Sequence, residues 1–149
     1  MRHSLPIGLS RLIDAGIWPG ANGPSMIQQQ VSPMVMPERV RLFAPDESLI
    51  CLQPPPFRTI ADAVLAGGAG DFWDRFGSLN QIAPAEALII GDFGLGSDSP
   101  IVLAFDRDKV DPPVLRLRWD GGGPETRTTW VQGARSFDEF ARMLGMVAS

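Results

Sequence analysis

The apolar positions of this chain change period part-way along it. Leu9, Leu12 and Ile13 recur at helical spacing, and Gly16 is placed to stop the helix they imply. Residues 19–37 contain Pro19, Gly20, Asn22, Gly23, Pro24, Pro33 and Pro37, which predicts an irregular connection with a short helix around 26–31. Val40, Leu42 and Phe43 predict a second short helix ending before Pro45, and residues 49–52 a short strand. Pro54, Pro55 and Pro56 remove three backbone donors and hold the chain extended, as a stiff corner or as a ligand for an aromatic groove. Thr59 stands three residues before Asp62, the spacing of a capping box, with Ile60, Ala61, Val64 and Leu65 as the apolar stripe that follows. Gly67 and Gly68 end that helix. Residues 71–76 predict one or two further helical turns, offering Phe72, Trp73 and Phe76 to the core before Gly77.

Further on the period falls to two. Residues 87–90 and 101–105 are apolar runs, the first bounded by Gly91. Leu115, Leu117 and Trp119 alternate with Arg116 and Arg118 as a half-buried strand does, and 128–131 is a fourth β-rich stretch. Turn residues fill 91–100, 106–113 and 120–124. Connections this short join antiparallel neighbours, because a parallel crossover needs a dozen or more residues. Ser136 and Glu139 open a last helix, with Phe137, Phe140, Ala141 and Leu144 as its stripe and Gly145 as its cap. Helices, then strands, then a helix is an α+β order. It predicts a mostly antiparallel sheet of about four to six strands flanked by N-terminal and C-terminal helices. One domain spans 1–149, and residues 1–48 form its helical and irregular N-terminal part.

Composition narrows what such a domain does. At 149 residues the chain can bury a substantial core, and no apolar run approaches the roughly 20 residues of a membrane-spanning helix. No apolar segment follows Arg2, which argues against a secretory signal and for the cytoplasm. Cys51 is the only cysteine and His3 the only histidine, so an internal disulfide is impossible and a structural zinc site close to excluded. The net charge of −4 is unevenly spread. Residues 1–50 carry four basic and four acidic groups and residues 101–149 seven of each. Residues 51–100 set only Arg58 and Arg75 against Asp62, Asp71, Asp74, Glu86, Asp92 and Asp98. Nucleic acid is a poor partner for this balance and a basic protein a good one; plain solubility is the competing explanation.

The motifs with chemical associations fail on context. A Ser/His or Cys/His nucleophile needs a base, and His3 sits at the extreme terminus while Cys51 lies in an apolar strand. Asp92-Phe93-Gly94 matches the magnesium-binding tripeptide of kinases without the kinase lysine and catalytic-loop signatures. Gly91, Gly94 and Gly96 lack the spacing of a dinucleotide fingerprint, and no cofactor is expected. Asp92 and Asp98 flank one turn, and Asp106, Asp108 and Asp111 crowd the next. Such acids perform acid/base work, hold a hard cation, or cap backbone N–H groups in tight turns. For Asp106, Asp108 and Asp111 capping is the expected use; for Asp92 and Asp98 both uses stay open. Trp73 and Trp119 sit in apolar patterns as core residues; Trp18 and Trp130 are less determined, and an exposed one would anchor an interface, but core packing is the expected use of each.

Residues 84–145 resemble the SUKH superfamily, the Smi/Knr-like domains of bacterial immunity proteins and yeast cell-wall assembly regulators. The resemblance rests on the strand 87–90, the Gly91-Asp92 turn with Gly94, Gly96 and Pro100, and the strand from Ile101. It continues through the strand ending at Trp119, then Trp130-Val131, then the helix opened by Ser136-Phe137. Pro54-Pro55-Pro56-Phe57 and residues 9–18 resemble one bacterial branch. Phe105 stands where many relatives are more polar, which would alter the surface beyond the turn.

The resemblance implies an antiparallel α+β fold without enzymatic activity and, for bacterial members, the binding and neutralisation of a toxin domain, often a nuclease. Asp74, Glu86, Asp92, Asp98 and Trp130 are then the expected partner contacts, and Gly91, Gly94, Gly96, Pro100 and Trp119 the structural motif. Two alternatives stand beside an immunity protein: an intracellular scaffold with several partners, and a small hydrolase or metal-dependent enzyme built on Asp92 and Asp98.

Overall fold

The computed structural model describes residues 5–18, 30–31, 36–47, 50–53, 55–62, 82–93, 100–120 and 127–146. Helix α1, Ile7–Asp14, buries Leu9 and Leu12 on the stripe their spacing defines. Gly16 adopts φ 75°, a left-handed turn that favours glycine. The N–H groups of Ile17 and Trp18 then both return to the Leu12 carbonyl at 3.0 Å. This reversal carries Trp18 into the core at 1% exposure, with Nε1 donating to the Gln53 carbonyl at 2.8 Å. Helix α2, Pro37–Phe43, begins on a proline whose missing N–H costs nothing in the first turn.

The strands are β1 (Gln30–Val31), β2 (Cys51–Leu52), β3 (Ala87–Asp92), β4 (Ile101–Ala104), β5 (Val114–Asp120) and β6 (Arg127–Ala134). They form one sheet in sequence order, β1 to β6, and every neighbouring pair is antiparallel. A single 3₁₀ turn, Pro84–Glu86, leads into β3, and helix α3, Phe137–Leu144, closes the domain. The fold is α+β.

Two features of the strands differ from expectation. Gln30 and Val31 are not helical; they pair with Leu52 and Cys51 as an edge strand. Gly91 does not end its run. Strand β3 continues through Gly91 and Asp92, which pair with Leu52 and Cys51 of β2. A register shift between Ile89 and Gly91 absorbs the extra residue.

Alternation sorts the strand residues onto two buried faces. Leu88, Ile90, Ile101, Leu103 and Val114 face the three helices, where Leu9, Val40, Phe43, Phe137 and Phe140 complete the larger cluster. Ala87, Val102, Ala104, Leu115, Leu117 and Trp130 face the other way, against Ile60 and Ile82. Residues 114–117 of β5 are therefore buried on both faces, and Arg116 itself is 4% exposed, while Arg118 is exposed as the alternation suggests. Phe105 is 1% exposed, so its departure from the polar pattern enters the core rather than the surface.

The Thr59–Asp62 capping box forms in full, and the Ser136–Glu139 one forms in half. Thr59 N–H donates to Asp62 at 3.0 Å and Asp62 N–H to Thr59 Oγ1 at 3.1 Å, which opens the helical residues 60–62. At α3, Ser136 Oγ accepts Glu139 N–H at 3.1 Å, but Glu139 reaches past Ser136 to the Arg135 N–H at 3.0 Å and to its guanidinium. Gly145 takes φ 76° at the helix end. Ser136→Ala should lower stability by about 1 kcal/mol, the usual cost of an N-cap. A urea titration showing no change in midpoint would contradict the assigned cap. The expected elements within 63–81, including the glycine stop and Trp73, and Pro54, lie outside the described residues.

Candidate binding surface

Of the five expected partner contacts, Asp74 and Asp98 lie outside the described residues, as do Gly94 and Gly96 of the structural motif. The structure separates the other three. Glu86 ends the 3₁₀ turn immediately before the six-residue strand β3, and Asp92 is the last residue of that strand. At 3.3 Å per residue that is about 20 Å, too far for one site. Trp130 is level with the Asp92 end of the sheet, through Leu117 and Pro100, but stands three strands away on β6, roughly 14 Å at the usual strand spacing. It lies on the sheet face away from the helices and is 7% exposed.

Asp92 is also 7% exposed, and its Oδ1 accepts the Phe93 N–H at 2.6 Å. Its carboxylate is thus turned inward and capped at the point where β3 ends. Gly91 explains why the strand reaches that far. A Cβ at this position would stand 2.7 Å from the Cys51 carbonyl oxygen, closer than real Cβ atoms come to backbone. Glycine here serves close strand approach, not a turn. Pro100 is buried as the chain enters β4, and its carbonyl accepts Leu117 N–H at 3.0 Å. Trp119 occupies β5 opposite Thr128.

The glutamate end of β3 is more elaborately organised. The Phe105 N–H donates to the Glu86 carbonyl at 2.9 Å, which seats the β4–β5 connection against the 3₁₀ turn. Within that connection Asp108 Oδ1 accepts the N–H groups of Val110 and Asp111 at 2.9 and 3.0 Å. These two bonds hold the Asp108 carboxyl below the usual carboxylate range. Asp111 Oδ1 accepts the Phe137 N–H at 3.2 Å, so a residue 26 positions earlier caps α3 alongside Ser136. Burial pushes the Asp111 carboxyl up, the Phe137 N–H pulls it down, and the nearby charges of Asp138 and Asp108 raise it further, leaving it above its ordinary value. Lys109 Nζ reaches Glu86 Oε2 at 2.8 Å, and Arg107 reaches Gln132 at 3.5 Å. The capping expected of turn acids is what Asp108 and Asp111 do; Asp106 is exposed.

Sequence reading does not find a third feature, Arg116. Its guanidinium lies 5.7 Å from the Phe93 ring centroid and pairs with Asp46 at 2.5 Å. Asp46 belongs to the short segment after α2, and no sequence spacing links it to β5.

No group of three or more His, Cys, Asp or Glu among the described residues is arranged to hold a metal ion. None of the described helices is long and apolar enough to cross a membrane. Comparison with family models, with curated proteins and with solved structures finds no match to this chain.

Proposed function

We propose that this protein is a non-catalytic protein-binding module that neutralises a toxin domain, in the manner of the SUKH immunity proteins its sequence resembles. The observation that carries the reading is the use of its carboxylates. Asp62, Asp92, Asp108 and Asp111 each accept at least one backbone N–H, so these acids serve geometry. A general acid or base must instead present its carboxyl to a substrate proton. The hydrolase alternative loses its support at Asp92, whose carboxyl is buried against its own strand end. The acidic excess of residues 51–100 suits a basic partner, and charge complementarity would speed its capture.

The reading is tested by co-expression with a toxin encoded beside this gene. Protected growth and co-purification of the two proteins are expected. A folded protein that neither binds that toxin nor protects the cell would overturn it.

A further inference from the structure

We infer that Arg116 is the base of an oxyanion-binding site, that Asp46 fills this site from within the chain, and that a carboxylate-bearing ligand takes Asp46's place. The observation that points to a ligand is the guanidinium itself. The Arg116 side chain is 5% exposed and Asp46 engages its Nη2, whereas Nη1 is buried with no accepting atom among the described residues. A buried donor left unmet costs stability, so each one in a fold calls for an explanation. Core packing does not supply it. Ile101, the β4 partner of Arg116, and Phe93, against which the guanidinium lies, both belong to the helix-facing core. An apolar side chain of similar volume would serve there without the cost of a buried charge.

A guanidinium is a planar fork that holds a carboxylate through two parallel N–H bonds. The Phe93 ring, its centroid 5.7 Å from Cζ, backs the cation but offers no oxygen to the N–H groups. Asp46 meets part of that need. It sits on the turn after α2 that the Glu47 N–H closes on the Ala44 carbonyl at 3.0 Å, and its side chain is 51% exposed. The carboxylate is thus the solvent-facing half of the pair. Turning it outward uncovers the guanidinium and leaves the strands and helices in place.

Charge selects the ligand. Glu47 stands half-buried beside the pair; burial and the Asp46 charge push its carboxyl up, and Arg116 pulls it down. A doubly charged phosphate would feel the repulsion of these acids twice as strongly as a singly charged carboxylate does. The fork geometry and the single buried cation therefore fit a carboxylate.

Thermal unfolding of wild type, Asp46→Ala and Asp46→Ala/Arg116→Met is followed at pH 7 while sodium acetate replaces sodium chloride at constant ionic strength. A ligand that binds only the folded state raises the unfolding midpoint as its concentration passes the dissociation constant. Acetate should raise the midpoint of Asp46→Ala and leave the double variant where it is. In wild type the same rise should need tenfold more acetate or beyond, because Asp46 holds the site against it. Inorganic phosphate should act on Asp46→Ala more weakly than acetate. Asp46→Asn, which keeps the shape of the side chain, replaces Asp46→Ala if that variant does not fold. No rise in the folded single variant, or an equal rise in the double variant, would overturn the site at Arg116. A wild type that responds at the same acetate concentration would overturn Asp46 as its occupant, and a stronger response to phosphate would overturn the choice of a carboxylate.

Discussion

Gly91→Ala should destabilise the domain by about 3 kcal/mol, at the upper end of the usual cost of overpacking a close contact. The added Cβ would meet the Cys51 carbonyl oxygen at 2.7 Å. That oxygen cannot swing aside as a side chain does. Cys51 is paired on both sides, to Val31 of β1 and Asp92 of β2's other neighbour, β3. The Gln53 N–H is bonded to the Ile90 carbonyl at 2.8 Å, which fixes the same pair of strands one step away. Relief therefore requires β2 and β3 to part. Gly133→Ala tests the argument by contrast. Its Cβ would collide more closely, with the Phe43 ring, but a ring can rotate or shift. Phe43 is packed at 4.8 Å against Phe140, so the shift still costs, though less than moving a strand. A urea titration should place the Gly91→Ala midpoint below that of Gly133→Ala, both below wild type. The reverse order would mean that the β2–β3 register is wrong.

That glycine shows where sequence reading succeeds here and where it stops. Elements defined by local chemistry are legible: the stripe and glycine stop of α1, the Thr59–Asp62 box, the Ser136 cap and the Gly145 terminus of α3. The antiparallel order of β3 to β6 follows from their connections, because short links permit little else. Non-local facts are not legible. Gly91 followed by Asp92 has the composition of a turn, and only the arrival of β2 alongside makes it a strand. Gln30 and Val31 carry no strand signal strong enough to outweigh the surrounding prolines and glycines; pairing with β2 supplies it. Arg116 alternates with leucines like a solvent-facing residue, yet the helices and the segment after α2 cover its face. For the candidate surface, Glu86 is legible as an acid beside a strand, but its partner Lys109 lies 23 residues away across the β4–β5 connection. The Asp108 turn is readable from composition, whereas its attachment to α3 through Asp111 depends on the tertiary fold.

The buried guanidinium also yields an unequal pair of effects. Asp46→Ala should cost about 2 kcal/mol, whereas Arg116→Met should cost less, and adding Arg116→Met to Asp46→Ala should recover part of that loss. Arg116 has its side chain 5% exposed, and Nη1 has no hydrogen-bond acceptor among the described residues. Removing Asp46 leaves this buried charge without its carboxylate, a loss of 3–5 kcal/mol in fully buried pairs, discounted to about 2 because the Asp46 side chain is 51% exposed. Replacing Arg116 by methionine removes charge and unmet donor together and keeps the apolar stem beside Phe93. In Asp46→Ala/Arg116→Met the destabilisation should therefore be smaller than in Asp46→Ala alone. Partial burial pushes the Asp46 carboxyl up, but the hydrogen bond from Arg116, one from its own backbone N–H, and the charges of Arg116 and Arg118 outweigh this. They hold it below its ordinary value of 3.8. A depressed folded-state pKa stabilises the fold above the unfolded value, and that contribution fades as the pH falls through the folded one. The gap between wild type and Asp46→Ala should be full near neutrality and shrink below about pH 4. Denaturation midpoints measured across that range decide it: a gap that persists in acid, or a double variant no better than Asp46→Ala, would show that Arg116 does not depend on this carboxylate.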